Sequence, residues 1–171
     1  SPDPRFVIFP EKVHVSKSMG KLLKKGVFEI TFNKAFPQVI SRCRHEVRVR
    51  QEGTWITDEM EKSYNELHRL GYAISVEAWV AGTGNLAGGL YGVMLGKAFF
   101  GESMFSIYEN ASKAAFITFM QVLQKAKCPI VDCQVETDHL KSLGAEFISR
   151  KEFVHTISKA AKKNTIDFNK L

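Results

Sequence analysis

Residues 73–106 constrain the fold most. AISVEAWV (73–80), LAGGLYGVML (86–95) and KAFFGESMFS (97–106) are rich in apolar, β-branched and aromatic residues. The first two are joined by the turn-like AGTGN and read as a hairpin. The third follows a turn near Gly96 and reads as another antiparallel strand. Within it, strand alternation places Phe100, Glu102, Met104 and Ser106 on one face, and Phe99, Gly101, Ser103 and Phe105 on the other. Glu102 is the anomaly in this run. Burying an unpaired carboxylate is costly, so Glu102 is expected to be paired, hydrogen-bonded or at the mouth of a cavity.

The rest of the chain supplies the partners of this meander. RFVIF (5–9) and VFEITF (27–32) read as strands, and SKSMGKLLKKG (16–26) as a short basic helix with Ser16 as its cap and Gly26 beyond its end. A second helix is expected from Asn33 through FPQVISRC. CRHEVRVRQEG (43–53) lacks a period and reads as a loop or short exposed strand. In TDEMEKSYNELHRLGY (57–72), Met60, Tyr64 and Leu67 recur at helical spacing, with Thr57 able to cap and Gly71 to stop the helix. NASKAAFITFMQVLQKAK (110–127) reads as a more buried helix. CPIVDCQV (128–135) and AEFIS read as strands, DHLKSLG as a short helical turn capped by Thr137, and KEFVHTISKAAKK as a polar helix. This order predicts an α+β protein with a central, mostly antiparallel sheet flanked by helices, in an N-acetyltransferase-like layout.

The 171 residues suit one domain, 1–171, with a sizeable core. No apolar run reaches the roughly 18 residues that suggest a membrane span, and no signal peptide is visible at SPDPRF. Cys43, Cys128 and Cys133 are odd in number and form no CxxC pair, which fits a reducing, cytoplasmic setting. Charge is uneven. Residues 1–50 hold eleven Lys or Arg against four Asp or Glu, a net +7, and residues 51–171 hold thirteen against fourteen, a net −1. Such asymmetry points to an anionic partner such as nucleic acid, or to a solvated basic surface.

Folds of this kind that bind acetyl-coenzyme A usually carry a glycine-rich loop before the central helix. Here the junction is SIYENASK, without glycine, so coenzyme A is not the expected donor. In VDCQ (131–134), Asp132 and Gln134 share a strand face and Cys133 takes the other. A carboxylate beside an amide suits proton handling and substrate holding, or simple structural hydrogen bonding. His14, His45, His68, His139 and His155 have no metal-ligand spacing, so no metal is expected. Trp55, in EGTWIT, suits core packing or stacking on a nucleobase.

SPDPR (1–5), EGTWIT (52–57), GGLYGV (88–93), GESMFS (101–106), ENASK (109–113) and DCQ (132–134) occur in order. Together they closely resemble the leucyl/phenylalanyl-tRNA–protein transferases, over Ser1 to about Arg150. The resemblance implies aminoacyl transfer without a small cofactor. Leucine or phenylalanine moves from aminoacyl-tRNA to the N-terminal Lys or Arg of a protein, marking it for N-end-rule degradation. It implies that Asp132 and Gln134 are the catalytic pair that polarises the acceptor amine, with Gly101 and Glu102 on the acceptor side. Leu90, Met104, Phe116 and Phe119 match positions lining the donor side-chain pocket, with Leu90 standing where a Met is frequent. Trp55 and Tyr64 match positions near the 3′-terminal adenosine. Lys21, Lys24 and Lys25 are candidates for tRNA phosphates on charge alone.

Family members usually carry several dozen residues before SPDPR, including upstream aromatics, and this chain opens at Ser1 without them. Its 44–51 loop and AGTGN hairpin also differ from the common pattern. A monomer with no membrane partner is expected. Two alternatives remain open at this level: a non-catalytic tRNA- or N-degron-binding module, and a transferase with a different aminoacyl donor.

Overall fold

The computed structural model describes residues 2–46 and 56–168. The elements are β1 (Arg5–Ile8), α1 (Lys17–Lys25), β2 (Phe28–Phe32), α2 (Phe36–His45), α3 (Asp58–Arg69), β3 (Ala73–Val80), β4 (Asn85–Leu95), β5 (Ala98–Ser106), α4 (Ala111–Lys125), β6 (Ile130–Gln134), α5 (Asp138–Ser142), β7 (Glu146–Ile148) and α6 (Arg150–Ala160). The seven strands form one sheet in the order β2-β3-β4-β5-β6-β1-β7. Every pair is antiparallel except β5 with β6. This is the expected α+β, N-acetyltransferase-like layout, with the β3–β4–β5 meander at its centre.

Local chemistry sets the element ends. The hydroxyls of Ser16, Thr57, Thr137 and Ser149 each accept the amide three residues on, and Gly26 closes α1 in the left-handed region. The second helix starts later than Asn33. Asn33 itself has φ 57°, and its side chain accepts the Ser75 amide. Before α2, the buried Glu77 of β3 accepts the Ala35 amide at 3.2 Å as well as the Thr31 and Ser75 hydroxyls. A tertiary carboxylate thus supplies what no local side chain does, since Ala35 offers no cap. Cys43, Arg44 and His45 belong to α2 and not to a loop, while residues 47–55, including Trp55, lie outside the described residues.

Two apolar layers sandwich the sheet. On one face α4 buries Phe116, Phe119, Met120 and Leu123 with Phe6, Leu90, Met94 and Phe99. On the other, α2 and α3 cover Tyr91, Phe105 and Ala73 with Phe36, Val39 and Ile40. A smaller cluster joins Val7, Ile130, Ile148 and Phe153 of α6, with Phe100 against it.

Simple alternation does not survive along β5. Tyr91 faces Ser103 and Gly92 faces Gly101, so Glu102 has no opposite residue and forms a β-bulge. Side chains reverse parity there. Phe99 and Met104 pack on the α4 face, whereas Phe105 packs with α2 and Phe100 near α6. The expected grouping of Phe100 with Met104, and of Phe99 with Phe105, is corrected by this inserted residue. Gly92 makes room for it: a Cβ there would stand 2.2 Å from the Phe100 carbonyl oxygen and 2.5 Å from the Phe99 ring. Gly92→Ala is expected to cost about 1–3 kcal/mol through overpacking, seen as a lower urea midpoint; an unchanged midpoint would show the bulge to be adaptable.

Candidate active site

The bulge coincides with a parting of strands. β5 and β6 pair only at Ala98–Ile130, Phe99–Val131 and Phe100–Asp132, although both continue further. In the resulting gap lies a cavity of about 440 Å³, within the roughly 300–1,000 Å³ of small-molecule sites. Leu90, Phe99, Met104, Phe116, Val131 and Leu140 give it apolar walls, while Gly101, Glu102, Asp132 and Gln134 form its polar border.

Asp132 is fully buried and holds this border together. Arg5 of β1 donates to it through both Nε, at 2.9 Å to Oδ1, and Nη2, at 2.7 Å to Oδ2. The guanidinium lies 5.4 Å from the Phe153 ring centroid. Oδ1 also accepts the Gln134 amide at 3.0 Å. This bond accompanies a left-handed backbone at Gln134, φ 63°, a conformation uncommon for a residue with a side chain and frequent at functional sites. The turn breaks strand alternation at the end of β6. The Gln134 side chain reaches across the gap, its Nε2 donating to the Gly101 carbonyl at 2.7 Å. A side-chain bond thus stands where the backbone ladder has stopped.

Glu102 is partly buried on the rim. Burial and the neighbouring Asp132 charge raise its pKa, opposed by hydrogen bonding from Tyr64 and Gln134 and by the Arg5 charge. Tyr64 reaches it from α3, where its ring stacks edge-on against Tyr91 at 5.2 Å. Burial and the Glu102 charge raise the Tyr64 pKa further above its ordinary value, so the hydroxyl stays protonated. Cys133 also borders the cavity, but burial, with help from Asp132, pushes its thiol up to about 12. It is therefore a poor nucleophile at neutral pH.

The structure gathers most of the residues singled out from sequence. Leu90, Gly101, Glu102, Met104, Phe116, Asp132 and Gln134 line one cavity, and Tyr64 touches its rim through Glu102. Phe119 does not line it. It is fully buried behind Phe99, whose ring it meets edge-on at 4.7 Å. Phe99, Val131 and Leu140 line the cavity and were not anticipated, and neither was Arg5 as the partner of Asp132. Only SPDPR, as a motif, drew attention to Arg5; its partner stands 127 residues away. Lys21, Lys24 and Lys25 are exposed on α1, whose Met19, Leu22 and Leu23 anchor it to the core. Among the described residues, no group of three or more His, Cys, Asp or Glu could hold a metal ion. No helix among them is long and apolar enough to cross a membrane.

Residues 7–158 match the family described as leucyl/phenylalanyl-tRNA protein transferase. A relative of that name from Myxococcus xanthus is 48% identical over 96% of this chain and 70% of its own length. One from Pseudomonas fluorescens is 50% identical over 93% of this chain and 69% of its own. The solved structure of L-PGS from Bacillus licheniformis shares the fold, with a TM-score of 0.51 at 9% identity, over 95% of this chain and 53% of that one.

Two outcomes test the geometry. Arg5→Met is expected to destabilise the protein by about 3–5 kcal/mol, because it leaves the Asp132 charge buried without its partner; a loss under about 1 kcal/mol in denaturant titration would mean that water replaces the guanidinium. Cys133 is expected to resist iodoacetamide at pH 8 in the folded protein and to react once unfolded, as read by mass spectrometry of its peptide.

Proposed function

Because this chain belongs to the leucyl/phenylalanyl-tRNA–protein transferase family, we infer that it moves leucine or phenylalanine from an aminoacyl-tRNA to the N-terminus of an acceptor protein. The observation that carries this reading is the cavity between β5 and β6. It is apolar along Leu90, Phe99, Met104 and Phe116, and polar at Gly101, Glu102 and Gln134. A leucine or phenylalanine side chain suits the apolar part. The ester that follows its Cα then falls at the polar border.

The donor is an activated ester, so the task is to bring a neutral amine to its carbonyl. An α-amine has a pKa of about 7.7–8.0 and is largely protonated at neutral pH. Gln134, fixed at both its backbone and its side chain, is the residue we assign to holding the reacting groups. Asp132, the other member of the catalytic pair, orients Gln134 by accepting its amide. Gly101 and Glu102 border the acceptor side, where a carboxylate favours a cationic N-terminal Lys or Arg. Such a product carries an N-terminal leucine or phenylalanine and is marked for N-end-rule degradation.

Leu90, Met104 and Phe116 form the donor pocket in this reading, with Phe119 supporting it through Phe99. Tyr64 and Trp55 are the residues this reading assigns to the terminal adenosine. Lys21, Lys24 and Lys25 present exposed charge to the acceptor-stem phosphates. The chain is read as a monomeric, cytoplasmic enzyme that uses no cofactor. Its three free cysteines are compatible with a reducing compartment.

The test is transfer of radiolabelled phenylalanine from Phe-tRNA to a peptide beginning with Arg, with a peptide beginning with Ala as control. Label is expected on the Arg peptide alone. Equal labelling of both peptides would remove the acidic acceptor site from the reading. Salt-sensitive tRNA binding without label on either peptide would make the chain a binding module.

A further inference from the structure

Phe99 lines the cavity, and its ring is braced from behind. It lies so close to Gly92 of β4 that a Cβ there would stand 2.5 Å from it. On the α4 side it meets the fully buried Phe119 edge-on at 4.7 Å. How far Phe99 can yield therefore depends on how firmly Phe119 is held. Two further rings hold it. Phe168 lies 5.8 Å from Phe119, Phe32 of β2 lies 6.4 Å from it, and Phe32 and Phe168 stand 5.8 Å apart, so the three rings form a closed triangle. Phe168 comes after the end of α6, yet it is 3% exposed. The backbone that delivers it is clamped. The Lys97 amide donates to the Ala160 carbonyl at 2.9 Å. A Cβ at Gly96 would stand within 2.7 Å of the carbonyl oxygens of Ala160, Ala161 and Lys163, so the chain leaving α6 crosses directly over the turn between β4 and β5. Ile166 then packs on the same core as Phe168.

Resting on the transferase reading above, in which Phe99 walls the pocket for the donor side chain, we propose that Phe168 is a positioning residue for donor choice. Acting through Phe119 and Phe99, it sets the room available to the donor side chain, and so the balance between phenylalanine and leucine. Neither Phe168 nor Phe119 lines the cavity, so the effect travels by packing. A close-packed interior passes a change of volume to its neighbours. Shortening Phe168 leaves a void behind Phe119. Partial collapse into that void draws Phe119, and then Phe99, away from the cavity. The shorter leucine side chain then loses contact with the wall, whereas the longer phenylalanine ring still reaches it. Enlarging Phe168 drives the same two rings forward, which crowds phenylalanine before leucine. The ester, the terminal adenosine and the acceptor amine are common to both donors. Changes at those groups cancel when the donors are compared, and side-chain contacts remain.

The experiment is a competition. Phe-tRNA and Leu-tRNA carrying different radiolabels are offered together, with an Arg-initiated peptide, to wild type, Phe168→Leu and Phe168→Trp. The ratio of the two labels on the peptide gives the ratio of kcat/KM for the two donors. Both donors meet the same enzyme molecules, so the folded fraction cancels, as does any loss that slows both alike. A merely structural role for Phe168 would leave this ratio unmoved. Phe168→Leu is expected to shift it toward phenylalanine by roughly 3–10-fold, less than the roughly 10–200-fold of a whole methylene in an apolar pocket, because the wall retreats but is not removed. Phe168→Trp is expected to shift it toward leucine. In a Phe119→Leu background, Phe168→Leu should no longer move the ratio, since the ring that transmits the change is gone. That pair of variants decides the matter if Phe168→Trp does not fold. A ratio within about twofold of wild type in Phe168→Leu overturns the proposal, and so does a shift that persists undiminished in the Phe119→Leu background. A wild-type chain that labels the peptide from neither donor overturns the transferase reading itself, and this assignment with it.

Discussion

The buried pair between Arg5 and Asp132 is the interaction on which the site depends. It joins β1 to β6 across 127 positions of sequence and closes a charge that could not otherwise stay inside the sheet. A pair this buried is not mainly a source of stability, because desolvation offsets much of its attraction. Its value lies in direction. With Arg5 fixing the carboxylate plane, Oδ1 meets the Gln134 amide, and Gln134 turns into the left-handed region and across the gap. A lone Asp at this position would lack the orienting fork and would be expensive to keep ionised.

Around that pair the sheet departs from regularity in two linked ways. The Glu102 bulge reverses side-chain parity along β5, and β5 and β6 cease to pair one turn of the pleat earlier, at Phe100 and Asp132. Neither departure would leave a cavity if neighbouring side chains collapsed into it. They are prevented by rigid aromatic contacts, Phe99 against Phe119 behind the cavity and Tyr64 against Tyr91 on the other face. The cavity is thus a consequence of strand geometry held open by packing, and its polar border consists of the groups that the departing ladder leaves available.

Charge follows a similar logic of placement. The basic excess of residues 1–50 is visible in the sequence, and α1 presents part of it on an exposed face. The remainder of the chain is nearly neutral in sum, yet Lys97 and Lys163 both act on the Cys128 thiol from segments far apart in sequence. Lys97 also donates to the Ala126 carbonyl, beside the C-terminal end of α4. Net charge by sequence interval cannot register such convergence, because it averages residues that the fold separates and separates residues that the fold joins.

The sequence by itself determined most of the elements and pointed to several of the residues that border the cavity. Strand runs, helical spacing and Ser or Thr caps are local signals, and they placed the meander, α1, α3 and α4, while the motif order brought Glu102, Asp132 and Gln134 to attention. It placed α2 less well, since its start is set by Glu77 from β3 and its last turn runs through Arg44, which is tied to Asp58 and Glu61 of α3. What only the tertiary structure decided was each residue's circumstance. Phe119 became wall support instead of lining, Tyr64 became a partner of Glu102, and Asp132 became a closed ion pair. Pairing register, a bulge and contacts between distant residues decide such things. They depend on the simultaneous packing of strands from both ends of the chain, which no short stretch of sequence contains.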